Sequence, residues 1–289
     1  MTITAILRLI RLRQWVKNGF VLIPAFFAAR ILDQALVLDL LGAFLAFSLM
    51  ASCVYVINDY VDRERDRQHP EKQHRPLASG VVSTRQATVL AVVLGGAALA
   101  LAVLVQLHVA WLLLLYLGIN ILYSIWLKHI AIVDISIIAS GFLLRIFAGG
   151  IAAQVPISRW LIVLTFLLAL ILALGKRRHE FLTQSEGRQS RPVLDGYNLP
   201  FIDLSMVFLA AVTVVAYLMY TISDEVVGRI GSEQLYVTSF FVVLGLLRFL
   251  QLALVFNRTA SPTRVLLEDR FIQLMLMLWG GVFLYLLYF

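Results

Sequence analysis

The chain has 289 residues, 61% hydrophobic and 14% charged, with a mean hydropathy of +0.89. A soluble domain carries roughly 25% charged residues, so composition excludes one; apolar runs long enough to cross a ~30 Å hydrocarbon core recur throughout and indicate a polytopic helical membrane protein. The single cysteine, Cys53, excludes an intrachain disulfide, and the net charge of +7 is read as loop bias at a membrane face, so no nucleic-acid partner is expected.

About nine spans are expected, at 18–32, 36–57, 86–105, 110–127, 131–152, 159–175, 201–222, 235–256 and 271–289. The first is short and could extend back through the amphipathic RLIRLRQWVKN. No long linker or solenoid period interrupts them, so residues 1–289 read as a single transmembrane domain, and the first run is not expected to be a cleaved signal. Arginine and lysine set the orientation. Of the 24, 19 fall at the N-terminus and in alternate loops. Only Arg30, Arg159 and Arg229 fall opposite, and Arg145 and Arg248 lie within spans. The positive-inside rule places the N-terminus and every long loop in the cytoplasm of a bacterial-type inner membrane.

Span 2 runs without a breaker into NDYVDRERDRQHPEKQHRP, residues 58–76. If the helix continues, Asp59, Asp62 and Asp66 lie at i, i+3 and i+7 on one stripe, with Asn58 one turn before Asp62 on an adjoining one. Clustered carboxylates repel unless a cation neutralises them, and hard oxygens a turn apart suit Mg²⁺ shared with substrate phosphates. The alternative is a solvated helix end, in which Glu64 and the arginines form i,i+4 pairs. Glu64 is off the stripe and is read as surface.

Further along, Tyr123 is either a hydrogen-bond donor to a phosphate or an aromatic-belt anchor. Asp134 and Arg145 are eleven residues apart, about 16 Å along one helix face. Asp134 is expected to anchor substrate or orient Lys128, and Arg145 to pair across helices or act on substrate. Arg248 is expected to snorkel or pair. His69, His74, His129 and His179 show no zinc spacing, and Gly149-Gly150 reads as a close-packing or helix-end feature rather than a phosphate cradle.

N-D-x-x-D-x-x-x-D directly after a membrane helix, followed by HPEKQHRPLASG, resembles the first signature of the UbiA-type intramembrane prenyltransferase superfamily. R-x-R-Q-W-x-K-N at 11–18, Y-S-x-x-L-K-H at 123–129 and D-I-x-I-I-A-S-G-F-L-L-R at 134–145 resemble one branch of it, the decaprenyl-phosphate phosphoribosyltransferases. AGG at 148–150, GKRRHE at 175–180 and VLLEDR at 265–270 do so too. The resemblance implies an all-α bundle of about nine transmembrane helices around a central cavity open to the cytoplasm, with a diphosphate held there through Mg²⁺. It adds Lys72 and Arg75 to the site.

For the branch it implies transfer of 5-phosphoribosyl from phosphoribosyl pyrophosphate to a polyprenyl (decaprenyl-type) phosphate. Asp59 and Asp62 would then be the first metal ligands, with Asn58 and Asp66 supporting. Members with aromatic acceptors usually carry D-x-x-x-D in the second motif, whereas here Asp134 is followed by Ile138. That departure favours a site organised by the first motif alone. Lys17, Lys72, Arg75, Lys128, Lys176, Arg177 and Arg178 fall at cytoplasmic span ends, where they could converge on phosphates. The other readings are prenyl transfer from a diphosphate to an aromatic or other small acceptor and, from another class, an ion- or proton-coupled transporter. Against a transporter, the acids cluster at one face rather than at the midplane.

Overall fold

The computed structural model describes residues 3–68, 72–184, 192–259 and 262–288. His69, Pro70 and Glu71 of the HPEKQHRP segment, and the loop cations Arg188 and Arg191, lie outside the described residues. The regular elements among the described residues are all helical. They are α1 (Ile3–Ile10), a 3₁₀ helix Leu12–Leu22, α2 (Ile23–Phe27), α3 (Gln34–Val61), α4 (Arg63–Arg67), a 3₁₀ turn Lys72–His74, α5 (Thr84–Val105) and α6 (Leu107–Ile125). A 3₁₀ turn Leu127–His129 leads to α7 (Val133–Ala152) and α8 (Arg159–Gln184), and a 3₁₀ turn Pro192–Gly196 to α9 (Leu199–Ile222) and α10 (Asp224–Ile230). After Glu233–Val237 come α11 (Thr238–Leu254), α12 (Pro262–Glu268) and α13 (Arg270–Tyr288). Among the described residues, eight helices are long and apolar enough to cross a membrane. These match eight of the nine expected spans, and the protein is a multi-pass membrane protein.

The stretch expected as the first span, 18–32, is built differently. Arg11 adopts a left-handed backbone, φ 53° and ψ 53°, that ends α1 and starts the 3₁₀ helix. Trp15 Nε1 donates to Ser52 Oγ at 3.0 Å, and Asn18 Nδ2 donates to Ser48 Oγ at 2.9 Å. Three residues of 3₁₀ helix and four of α-helix both rise about 6 Å. The 3₁₀ form therefore brings the Trp15–Asn18 pair into register with Ser48 and Ser52 on α3. The backbone at Val21 also approaches α7 closely: a Cβ on Gly149 would collide with the Val21 carbonyl. Gly149 is thus a packing glycine, as its sequence context suggested.

The chain forms two compact units, Met1–Ile137 with Gly141–Ile157, and Ile138–Ser140 with Ser158–Phe289. In the first, α3 runs through the core and packs on α1, α5, α6 and the first 3₁₀ helix. Small residues on α3 allow this: a Cβ on Gly42 would meet Val105 Cγ2 at 2.6 Å, and Ala43, Ala46, Ala51 and Cys53 are buried. Asp33 caps α3 by accepting from Ala35 N at 3.1 Å, and Ser83 with Gln86 forms a capping box on α5. Outward-facing side chains such as Leu38, Leu104 and Trp111 are exposed apolar groups suited to lipid.

In the second unit α8 packs on α9, and α11 on α9 and α13. Polar ties hold its helix ends. Arg178 donates to Asp203 at 2.7 Å and to the Ala253 carbonyl at 2.6 Å, and Arg248 pairs with Asp269 at 2.9 Å. Arg248 is therefore paired rather than snorkelling.

Candidate active site

The helical register carries past the end of α3. Asp62 N donates to Asn58 O at 2.9 Å and Asp66 N to Asp62 O at 2.8 Å, so α4 continues the same winding after a one-residue break. At 100° per residue, Asp59 and Asp66 differ by about 20° around the axis and Asp62 by about 60°. That difference separates the stripe. Asp59 and Asp66 are buried, at 2% and 4% exposure, and share one guanidinium. Arg75 Nη1 lies 2.9 Å from Asp59 Oδ1 and 2.7 Å from Asp66 Oδ2.

Asp59 Oδ1 also receives Arg11 Nη2 at 2.5 Å, and Arg11 lies over the Tyr55 ring at 4.9 Å. Asp62 turns to the end of α6, where Lys128 Nζ reaches Asp62 Oδ1 at 2.6 Å. The Asn58 side-chain oxygen accepts from the Ser124 hydroxyl. The four residues expected to share a metal thus face two places, and among the described residues no three His, Cys, Asp or Glu side chains are grouped to hold one.

The donor set still fits a hard cation. Two carboxylate oxygens already converge on one positively charged nitrogen, so a cation is accommodated between Asp59 and Asp66. Mg²⁺ characteristically takes one or two carboxylates and completes its shell with water and phosphate. Burial pushes the Asp66 carboxyl up, and the charge of Asp59 adds to this, while Arg75 and Lys72 pull it down. Asp66 is a carboxylate that a further cation would help to keep ionised.

A second group of charges lies at the first 3₁₀ helix. Lys17 is half-buried, and its ammonium is pushed down to about 8 by burial and by the neighbouring Arg145 and Arg11 charges. No carboxylate pairs with it among the described residues. Arg145 is buried on α7: Nε donates to Asn18 Oδ1 at 2.7 Å and Nη1 to the Gly141 carbonyl at 2.7 Å. The rings of Phe47, Tyr116 and Phe142 surround its guanidinium at 4.7, 5.2 and 5.6 Å. This charge is held by neutral dipoles and aromatic faces.

The remaining candidates separate clearly. Asp134 is fully buried in the first turn of α7, where the helix N-terminus favours a carboxylate. Lys128 pairs with Asp62; orienting Lys128 was one of the two roles expected of Asp134, the other being to anchor substrate. Tyr123 and Lys72 are half-buried, on α6 and in the 72–74 turn. Lys176 and Arg177 belong to the second unit on α8, where both pair with Glu180 and Arg177 is buried. Glu64 is exposed and held below the usual carboxylate range by Arg63 and Arg67, the solvated edge that was expected.

Arg11, Trp15, Asn18 and Ser124 were not singled out as site residues by sequence. Their signal was present, since they fall inside R-x-R-Q-W-x-K-N and Y-S-x-x-L-K-H. Nothing in either motif says that Arg11 meets Asp59 or that Ser124 meets Asn58.

Residues 20–278 match the model of the UbiA prenyltransferase family. The chain is 33% identical over 282 residues to a decaprenyl-phosphate phosphoribosyltransferase of Mycobacterium tuberculosis, covering 96% of this chain and 92% of that protein. It is 31% identical over 290 residues to the protein of the same name from Mycolicibacterium smegmatis, covering 96% and 91%. The fold is similar to that of a UbiA homolog from Archaeoglobus fulgidus bound to DMAPP and Mg²⁺, with a TM-score of 0.73, 19% identity and 98% of each chain covered.

Proposed function

This chain belongs to the UbiA prenyltransferase family, and on that premise we propose that it transfers 5-phosphoribosyl from phosphoribosyl pyrophosphate to a polyprenyl phosphate of the decaprenyl type, releasing pyrophosphate. The observation that carries this reading is the excess of positive charge around the acidic stretch. Asp59, Asp62 and Asp66 are already balanced by Arg11, Arg75 and Lys128. Lys17 and Arg145 add cations that no carboxylate pairs with among the described residues. Such a surplus suits substrates that together carry a diphosphate, a sugar phosphate and a lipid phosphate. The relatives bearing the phosphoribosyltransferase name support the same choice, as does the apolar Ile138 four residues after Asp134.

Asp59 and Asp66 are the residues that would hold Mg²⁺, while Asp62 and Asn58 face Lys128 and Ser124 beside them. When bound, Mg²⁺ supplies Lewis-acid neutralisation of charge on the departing pyrophosphate. Arg75 and Lys72 hold pyrophosphate oxygens, while Lys128 and Lys17 position the other phosphates. The bond from ribose C1 to the pyrophosphate oxygen breaks, C1 becomes oxocarbenium-like, and an oxygen of the lipid phosphate forms the new bond to C1. That oxygen is already anionic, so no protein base must take a proton. The polyprenyl tail stays along apolar helix faces, and the N-terminus and the long loops, with the site, lie on the cytoplasmic side.

The test uses purified protein with Mg²⁺, ribosyl-labelled phosphoribosyl pyrophosphate and a polyprenyl phosphate. Label moves into the organic phase under this reading. No lipid-linked label, together with alkylation of an aromatic acid by a prenyl diphosphate, would replace it with prenyl transfer.

A further inference from the structure

The carboxylates at the end of α3 carry their own counter-charges, and the two arginines on Asp59 are held differently. Arg11 bonds Asp59 at 2.5 Å and also stacks on Tyr55 at 4.9 Å, behind a left-handed backbone turn that fixes its direction. Among the described residues the side chain of Arg75 is held by the two carboxylates alone, at 2.9 and 2.7 Å, and it is 29% exposed. Its backbone is tied independently: Arg75 N donates to Lys72 O at 2.9 Å, and Ser79 N donates to Arg75 O at 2.9 Å. The guanidinium can therefore swing without unfolding its turn.

Charge balance sets what must accompany that swing. With Arg75 in place, a dication entering between Asp59 and Asp66 meets carboxylates already neutralised, close to Lys72. A pyrophosphate arriving alone meets cations that the carboxylates already satisfy. Arriving together, the metal takes the carboxylates and the pyrophosphate takes the released guanidinium, so each removes the other's penalty.

We propose that Arg75 is an exchangeable counter-ion, holding the place of the divalent cation between Asp59 and Asp66 and transferring to the pyrophosphate oxygens when magnesium pyrophosphate binds. Metal and diphosphate then load as one unit. The inference rests on the proposed function only in placing a diphosphate at these carboxylates. Arg75 is a positioning residue for the metal and a direct contact for the diphosphate, whereas Arg11 stays on Asp59 throughout.

Isothermal titration calorimetry of the full-length protein with Mg²⁺ alone, pyrophosphate alone and preformed magnesium pyrophosphate tests this. In the wild type, pyrophosphate should tighten Mg²⁺ binding by about tenfold or more, a typical coupling, and Mg²⁺ should tighten pyrophosphate equally, as linkage requires. Arg75→Gln should bind Mg²⁺ alone about tenfold more tightly than the wild type and lose most of that coupling. Arg75→Lys, which keeps the charge, should remain closer to the wild type. Arg85→Gln, on the exposed first turn of α5, should match the wild type. Equal Mg²⁺ affinity in wild-type protein with and without pyrophosphate would overturn the exchange, as would an unchanged Mg²⁺ affinity in Arg75→Gln. Phosphoribosyl transfer without coupling would sink the exchange alone. Coupling and the Arg75 effect without any transfer to lipid would uphold the exchange and sink the phosphoribosyl reading.

Discussion

Lys17 is the site cation whose charged form burial and neighbouring charges work against. Burial, then Arg145 and Arg11, lower its ammonium from 10.5 to about 8. Between those values the unfolded chain holds the extra proton, so this group's contribution to stability rises with pH across that window and is smallest below it. A phosphate beside Lys17 favours the charged form and raises its pKa again. Binding of phosphoribosyl pyrophosphate, whose 5-phosphate is one of the phosphates assigned to Lys17, should therefore take up a proton at pH 8.5, and affinity should fall as pH rises from 8. Calorimetry in two buffers of different ionisation enthalpy measures the uptake, which Lys17→Gln should lose; equal uptake in both proteins would remove Lys17 from the phosphate site. Asp62 and Asp59 also differ. Asp62 and Lys128 are 33% and 17% exposed, so Asp62→Asn should cost about 1 kcal/mol or less in stability while reducing turnover about a hundredfold or more. Asp59→Asn should lose as much turnover and also melt at lower temperature, because it leaves two guanidiniums beside an uncharged amide. The importance of these acids was legible from their spacing and their place after a membrane span. Their distribution between Arg75 and Lys128 was not, because it depends on a long-range meeting of α4, the 72–80 turn and the end of α6.

At the scale of elements, hydropathy found eight helices but could not say how the first apolar stretch is wound. An apolar run reports burial or lipid contact, and the 3₁₀ form of Leu12–Leu22 follows from two side-chain bonds to Ser48 and Ser52 instead. Those partners are 30 and 37 residues away, respectively, outside any local pattern. The contact at Gly149 makes the dependence testable. Gly149→Ala would drive its methyl into the Val21 carbonyl, and overpacking of this kind costs about 3 kcal/mol or more where backbone is the obstacle. A thermal melt in detergent should drop clearly for Gly149→Ala and stay near wild type for Gly96→Ala, a position with no neighbour within 4 Å of the added carbon. Similar melts for both would mean the 3₁₀ segment does not press on α7. Arg145 shows the opposite limit of legibility. Its place in a span marked it as special, yet its partners are an amide, a carbonyl and three rings rather than the acid eleven residues away.

For the whole molecule, family and helical architecture were readable because the signature motifs fall in order along nearly the full length. Orientation rests on the uneven loop charges and is directly measurable. Cys53 is the sole cysteine and is buried, so it leaves a low background for cysteine labelling in intact cells. A membrane-impermeant maleimide should label Glu64→Cys only after permeabilisation and Arg229→Cys without it; the reverse pattern would invert the topology. The central claim concerns which atoms of the donor reach the lipid. Phosphoribosyl pyrophosphate labelled either on its 5-phosphate or on its pyrophosphate should partition differently after reaction with Mg²⁺ and a polyprenyl phosphate. The 5-phosphate label should enter the lipid extract while the pyrophosphate label remains in water, and chelation of Mg²⁺ should stop the transfer. Pyrophosphate label in the lipid, or 5-phosphate label confined to water while the protein remains folded and binds magnesium pyrophosphate, would contradict it.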